Sequence, residues 1–177
     1  MTVEGLTAAG VTAQIAAAVT AGNVKLTGDT VQVVNTQTSA VATGTAIIPV
    51  DDTIPQITEG TEVMTATITP TNASNRLRID VTASFSHSIT NQWLVAALFQ
   101  DAGVNAIGSA IQFQSAGLAM MTVNFTYFMT AGTTSATTFR VRCGGQSAGT
   151  MTFNGASGAR LYGGALSSSI TVSEIKA

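Results

Sequence analysis

Charged side chains are scarce in this sequence, which has only 16 of them (7 Lys and Arg, 9 Asp and Glu) among 177 residues. The charged fraction of 9% compares with about 25% in an ordinary soluble domain. No basic cluster occurs along the chain, and the net charge is −2. Because binding to a phosphate backbone needs clustered Lys and Arg, we do not expect nucleic acid as a partner.

Cysteine and histidine are nearly absent as well, with one residue of each. Cys143 has no partner for an intrachain disulfide, and its apolar neighbours predict a packed core thiol. His87 stands between Ser86 and Ser88, at the end of a predicted strand and at a position whose side chain points inward. We therefore interpret it as a half-buried structural histidine and not as a catalytic base. One His and one Cys do not make a zinc site.

The first 20 residues contain no basic region, and their apolar stretch is mostly alanine. This pattern predicts neither a secretory signal peptide nor insertion into a membrane. We therefore expect the chain to be made in the cytoplasm.

Hydroxyl side chains take the place of charge, with 29 Thr and 14 Ser. Thr is β-branched and stiff, so this composition favours strands over helices. The mean hydropathy of +0.35, together with so little charge, predicts apolar surface that is hidden against other copies of the chain. The alternative is a monomer whose solvent-exposed surface is rich in Thr.

An Ala-rich run at residues 11–22 has the spacing of a helix. Val11, Ile15 and Val19 follow one another at intervals of four residues, which places them on one helical stripe. A helix this short is not stable alone and needs a partner surface, on the domain itself, on another copy or on another protein. We predict an N-terminal attachment segment at residues 1–28 and one β-sandwich domain at residues 29–177.

From residue 30 onward the apolar pattern has a period of two, which is typical of strands. In residues 76–86 and 121–130 the apolar side chains fall almost entirely on odd positions. Phe128 is the exception on the polar face, and it indicates cover by a neighbouring subunit or by a loop. Further strands are predicted at 30–35, 44–49, 62–69, 92–100, 137–143 and 166–173.

Turn-forming residues separate these strands, at 70–75, at 144–149 and at the hairpin-type pair Asn154 and Gly155. No helices alternate with the strands, which argues against a doubly wound fold. About eight short strands at this spacing predict an all-β jelly-roll or Greek-key β-sandwich with a short N-terminal helix.

Carboxylates occur in pairs, as Asp51 with Asp52 and as Glu59 with Glu62. Adjacent side chains on an extended chain point apart, so Asp51 and Asp52 make a poor pair for glycoside hydrolysis. A solvated loop, or a weak cation site at a subunit seam, is the better interpretation. We therefore expect no enzyme activity, no cofactor and no resident metal.

Carbohydrate recognition needs only aromatic platforms and polar partners in loops, so the sequence does not exclude it. Trp93 begins an apolar run that favours core packing, with glycan contact as the alternative. The candidate glycan contacts are Trp93, Tyr162, His87, Asn91 and Gln92.

Two parts of the chain resemble a family of phage and prophage tail-fibre and related virion surface domains. They are residues 51–79, with DDTIPQITEGTE, MTATITP and NRLRI, and the closing residues 158–175, GARLYGGALSSSITVSEI. The resemblance covers about residues 44–175. It implies a homotrimeric jelly-roll sandwich like the heads of tumour-necrosis-factor-type proteins, located in the virion and without catalytic residues.

Such domains often cap long fibres, but we expect no fibre shaft in front of this one, which leaves its position on the particle open. We expect a tail-fibre or fibre-like protein that contacts other virion proteins (tail, baseplate or major capsid protein) and a host surface glycan. A capsid cement or decoration protein is the alternative, and a glycan-degrading tailspike-type enzyme is a third interpretation without a well-placed carboxylate pair. The predicted assembly contacts are Val11, Ile15, Val19 and Phe128.

Overall fold

The computed structural model describes residues 10–14, 16 and 25–177. Residues 10–14 and 16 are helical, which confirms a short N-terminal helix. The rest of the predicted helix, including Ile15 and Val19, lies outside the described residues.

Nearly all other regular structure is β-strand, as predicted. The strands, in chain order, are β1 (Thr30–Thr38), β2 (Ala42–Gly44), β3 (Thr61–Ile68), β4 (Arg76–His87), β5 (Gln92–Gln100), β6 (Gly108–Gln114), β7 (Met121–Thr130), β8 (Thr137–Gly145), β9 (Met151–Phe153), β10 (Gly155–Ala156), β11 (Ala159–Arg160) and β12 (Ser168–Ile175).

The strands form two main antiparallel sheets. The first sheet has the order β1-β12-β4-β7, and β9 and β2 extend it on the β12 side of β4. The second sheet has the order β3-β8-β5-β6. Long connections carry the chain back and forth between the two sheets, so that β12 returns to lie between β1 and β4. This topology is a jelly-roll sandwich, as the alternation predicted.

The core lies between the two sheets and is lined by the alternating apolar residues. Every odd position from Leu77 to Phe85 on β4 is at most 1% exposed. These side chains face the inward side chains of β5 and β8, which are Leu94, Ala96, Leu98, Phe139, Val141 and Cys143. The predicted core thiol is therefore confirmed.

The sandwich is less well closed at the edge formed by β6 and β7. Val123 on β7 is buried, but Phe125, Tyr127 and Met129 are only partly buried against the core. The reason is topological, because β7 pairs with β4 alone and β6 pairs with β5 alone. A Cβ added at Gly108 of β6 would lie 3.2 Å from the ring of Tyr127, so the two edge strands already approach closely.

Residues 45–50 do not form the predicted strand, since pairing stops at Gly44. Instead the segment crosses the outer face of the second sheet, where the Ile48 N–H donates to the Gly145 carbonyl at 3.0 Å. The fully buried Ile48 packs there with the outward side chains of β5, which are Val95, Ala97 and Phe99. The cover is needed because β5 is apolar on both faces, and apolar surface is stabilised by burial.

Two local predictions also need correction. β6 was not predicted, and the hairpin turn is formed by Ser157 and Gly158, both with positive φ (53° and 75°), between β10 and β11. Asn154 has a left-handed φ of 54° but is buried, with its side-chain amide donating to the Thr38 carbonyl at 2.9 Å. Its role is to fix the chain between β9 and β10, and Gly155 does not form a turn with it.

Candidate functional site

Three loops meet at the end of the sandwich where β4, β6 and β8 finish, and we call this the His87 end. They comprise residues 88–91, 115–120 and 146–150. The buried side chain of Gln114 fixes the first loop, accepting from the His87 N–H at 2.8 Å and donating to the carbonyls of His87 (2.9 Å) and Ile89 (3.0 Å). The Ser88 N–H donates to the Thr150 carbonyl at 2.9 Å, which joins the first loop to the third.

His87 itself is enclosed, with only 2% of its surface exposed. Its Nδ1 accepts from the Ile89 N–H at 3.3 Å, which fits the neutral ring, and burial lowers the pKa of His87. Added Cβ atoms at Gly145 and Gly149 would lie 2.7 and 2.3 Å from the ring, so both positions need glycine. His87 is therefore structural, but it is almost fully enclosed and not half-buried as predicted, and it leaves almost no surface for the predicted glycan contact.

Gln92 is buried too, and its amide pairs with Ser147. Its Nε2 donates to the Ser147 Oγ at 2.7 Å, and its Oε1 accepts from the Ser147 N–H at 3.3 Å. Gln92 is therefore also wrong as a glycan contact, and it joins the first loop to the third. Asn91, by contrast, is exposed, with a left-handed φ of 54°.

Trp93 is not in the core, and the core interpretation is therefore wrong. It is 37% exposed on the outer face of the second sheet, opposite Phe113 of β6 in the strand register. The two rings contact edge to face, with centroids 5.0 Å apart and an interplanar angle of 61°. Phe113 is 40% and the neighbouring Ile111 is 47% exposed. We call Trp93, Ile111 and Phe113 the Trp93 patch.

Ile111 and Phe113 were not identified from the sequence, although they carry a signal. Ser109, Ile111 and Phe113 occupy every second position of β6, and the two apolar residues share one face. The residues between them are polar or small, which hid the strand. Tyr162 lies apart, because it is 78% exposed in the 3-10 turn Tyr162–Gly164, on the side of the first sheet near Ser39.

Of the predicted assembly contacts, Phe128 stands out on the first sheet. It is 46% exposed on the outer face, and the Arg76 guanidinium lies 5.0 Å from its ring centroid. No loop among the described residues covers it. We call Phe125, Tyr127, Phe128 and Met129 the β7 surface. Val11 is exposed on the N-terminal helix, while Ile15 and Val19 lie outside the described residues.

In each carboxylate pair, at least one member has a structural partner of its own. Asp51 accepts from the Thr53 hydroxyl and N–H, and these two hydrogen bonds lower the pKa of Asp51. Glu62 forms ion pairs with Arg140 at 3.3 Å and Arg142 at 3.7 Å. Within the described ranges, no three His, Cys, Asp or Glu side chains are grouped to hold a metal ion. No helix of the described residues is long and apolar enough to span a membrane.

No protein-family model and no curated protein matches the sequence. Solved structures with some likeness include Eiger TNF from S. frugiperda (11% identity, TM-score 0.45, 82% of this chain and 93% of that one). A CBM4 structure has 14% identity and a TM-score of 0.39, and the match covers 87% of this chain and 83% of that one. The VP2 subviral particle of infectious bursal disease virus has 13% identity and a TM-score of 0.37, and the match covers 82% of this chain and 38% of that one.

Proposed function

We propose that this chain is a non-enzymatic structural protein of a bacteriophage particle, a homotrimeric tail-fibre or fibre-like protein on the virion surface. The observation that supports it best is the β7 surface. Aromatic side chains on both faces of this edge strand stay partly exposed, although the chain has little charge to keep apolar surface soluble. Such surface is typical of contacts between subunits.

The surroundings of the β7 surface also favour contact with another copy. Arg78 and Asp80, on the same outer face of the first sheet, pair with each other at 2.9 Å, so their charges are already compensated. The Thr126 hydroxyl of β7 donates to Asp80 at 2.6 Å and anchors that pair to the edge strand. A neighbouring copy therefore meets mainly apolar and hydroxyl groups there, together with the Arg76 guanidinium, which lies over the Phe128 ring and has no ion-pair partner among the described residues.

The trimer and the phage particle are supported by the resemblance of residues 51–79 and 158–175 to virion surface domains. The resemblance implies no catalytic residues, which agrees with the separate structural partners of Asp51 and Glu62. Under this proposal the chain acts by forming part of the particle and by presenting the loops of the sandwich outward.

Light scattering of the purified full chain tests the oligomer. We expect about 54 kDa at micromolar concentration, three times the chain mass of 18.0 kDa. Phe128→Ser removes an already half-exposed ring, so it should leave the fold intact and shift the trimer towards monomer. The matched control is Val104→Ser, an apolar residue 61% exposed in the β5–β6 loop, which should not change the mass. A monomeric parent protein would refute the trimer.

Localisation of the protein in intact particles tests its position. Antibody or tag density on the tail is the expected result for a fibre-like protein. Density between major capsid subunits on the head would assign it to capsid cement instead. Absence of the protein from purified particles would refute the virion role altogether.

A further inference from the structure

The three loops of the His87 end contain no charged side chain. The sequence has no Asp, Glu, Lys or Arg between Asp80 and Asp101, between Asp101 and Arg140, or between Arg142 and Arg160. All three loops of the His87 end fall within these intervals. His87 adds no charge near neutral pH, because burial lowers its pKa. The three loops therefore offer a ligand only neutral groups.

The Trp93 patch lies on the flank of this end and is held in place from several sides. Trp93 and Phe113 pack against each other across paired strands, and the Trp93 carbonyl accepts from the Gln146 N–H at 3.0 Å. Gln92 and Gln114, on either side of the patch along the chain, are both buried and hydrogen-bonded. The exposed aromatic surface is thus preorganised, which reduces the entropy lost on binding.

Polar groups with free hydrogen-bonding capacity adjoin the patch. Asn91 precedes Trp93 by two residues, and Gln146 is joined to it through the backbone. Within residues 25–177, neither amide side chain forms a hydrogen bond with another part of the chain. Amide side chains can form hydrogen bonds with sugar hydroxyls, and an exposed aromatic ring can pack against the C–H face of a sugar.

The size of the patch suits a small ligand. A large aromatic side chain has an area of roughly 150–250 Å², and the three patch side chains are 37–47% exposed. The patch therefore offers roughly 200–300 Å². One or two sugar rings would cover this area.

We propose that the Trp93 patch, with Asn91 and Gln146, binds an uncharged carbohydrate, with the face of a pyranose ring stacked on the aromatic pair. An anionic glycan is disfavoured because the three loops and the patch itself supply no Lys or Arg to pair with its charge. The inference rests on the proposed function only for the source of the sugar, which is the host surface.

The single tryptophan of the chain makes the test direct, since all tryptophan fluorescence comes from Trp93. The full-length protein is titrated with neutral hexose polysaccharides and with sulfated or uronate polysaccharides of similar length. We expect saturable fluorescence changes with at least one neutral polymer and none with the anionic ones. No change with any neutral polymer, or a response to anionic polymers alone, would overturn the proposal.

Variants then locate the site by a binding assay that does not depend on tryptophan, such as affinity electrophoresis. Trp93→Ala and Phe113→Ala should each weaken binding at least about tenfold. Tyr162→Ala is the matched control, because this aromatic residue is more exposed but lies elsewhere; it should bind like the parent. Equal binding by Trp93→Ala would refute the site.

Light scattering on the same variants separates this proposal from the proposed trimer. Loss of sugar binding with an unchanged trimer mass supports the carbohydrate site. A change of oligomeric state in Trp93→Ala would instead make the patch a contact between copies and overturn the carbohydrate proposal. If the parent protein binds no sugar but remains a trimer, only the carbohydrate site fails.

Discussion

Glu174 provides the sharpest test of how the sandwich is held together. It points inward from β12 and is 0% exposed, yet no cationic side chain pairs with it among the described residues. Its carboxylate accepts from Gln32 Nε2 (2.6 Å), Asn75 Nδ2 (2.6 Å), the Thr71 hydroxyl (2.8 Å) and the Thr71 N–H (2.9 Å). One side chain thus connects β12 to β1 and to the loop between β3 and β4.

Replacing Glu174 by Ala leaves these donors facing a space without an acceptor. An unpaired buried donor costs about 1–3 kcal/mol. Among the donors to Glu174, the side-chain amide of Asn75 is the buried one. Water can reach part of the rest, so we expect Glu174→Ala to lose about 2–4 kcal/mol and Glu174→Gln about 1–2 kcal/mol. Ser173→Ala, on the opposite face of the same strand, should change stability by under about 0.5 kcal/mol.

The same residue predicts a dependence on pH. Burial alone raises the pKa of Glu174, but the hydrogen bonds from Gln32, Asn75 and Thr71 outweigh it and leave the pKa below its ordinary value. The unfolded chain then binds the proton more readily, so stability is full above the ordinary pKa and is lost as pH falls through it towards the lowered one. Glu174→Gln should remove this loss of stability at acid pH.

Urea unfolding at equal protein concentration measures both effects, because association also contributes to apparent stability. The parent, Glu174→Ala, Glu174→Gln and Ser173→Ala are compared at pH 7, and the parent and Glu174→Gln also down to pH 3.5. The carboxylate network would contribute little to stability if Glu174→Ala lost less than about 0.5 kcal/mol. The same conclusion would follow if the free energy of unfolding fell equally with pH in the parent and in Glu174→Gln.

Two further predictions concern the buried titratable groups. Because burial lowers the pKa of His87, protonation favours the unfolded chain, so stability should fall as pH decreases below 6.5. His87→Gln should flatten this limb in urea unfolding between pH 7.5 and 5.5, and a parallel decline in both proteins would contradict the assignment. Cys143 is 0% exposed and burial raises its pKa, so a thiol reagent at pH 8 should label it only after unfolding, as followed by mass spectrometry. Rapid labelling of the folded protein would contradict this packing.

Alternation predicted the strands that have one apolar and one polar face. β4 is the clearest example, because its inward side chains from Leu77 to Phe85 are all apolar and its partners cover them. β6 was missed because its inward positions hold Gly108 and Ala110, while its larger apolar residues face outward. A strand can be recognised by alternation only when its apolar residues lie on the buried face, and not when they lie on the exposed face.

The site was harder to predict for a related reason. Residues 93–99 are apolar throughout, so the sequence contains no information on which face of β5 lies in the core. The structure places Leu94 inward and Val95 under the covering segment with Ile48, and Trp93 lies just beyond that cover. Likewise, Glu174 continues the inward phase of Ile170 and Val172, but a charged residue in sequence is ordinarily assigned to solvent.

The positions of the two proposed surfaces give the trimer a functional consequence. The β7 surface and the Trp93 patch lie on consecutive edge strands, with Phe113 of β6 and Met121 of β7 separated by one short loop. Copies that associate through the β7 surface therefore carry three Trp93 patches in one assembly. A single uncharged sugar on a patch of a few hundred Å² binds weakly, but three linked sites on a polymeric glycan raise the overall affinity by roughly 10²–10⁴. Phe128→Ser, which leaves each patch intact, should thus reduce avidity for a polysaccharide without reducing affinity for its monosaccharide.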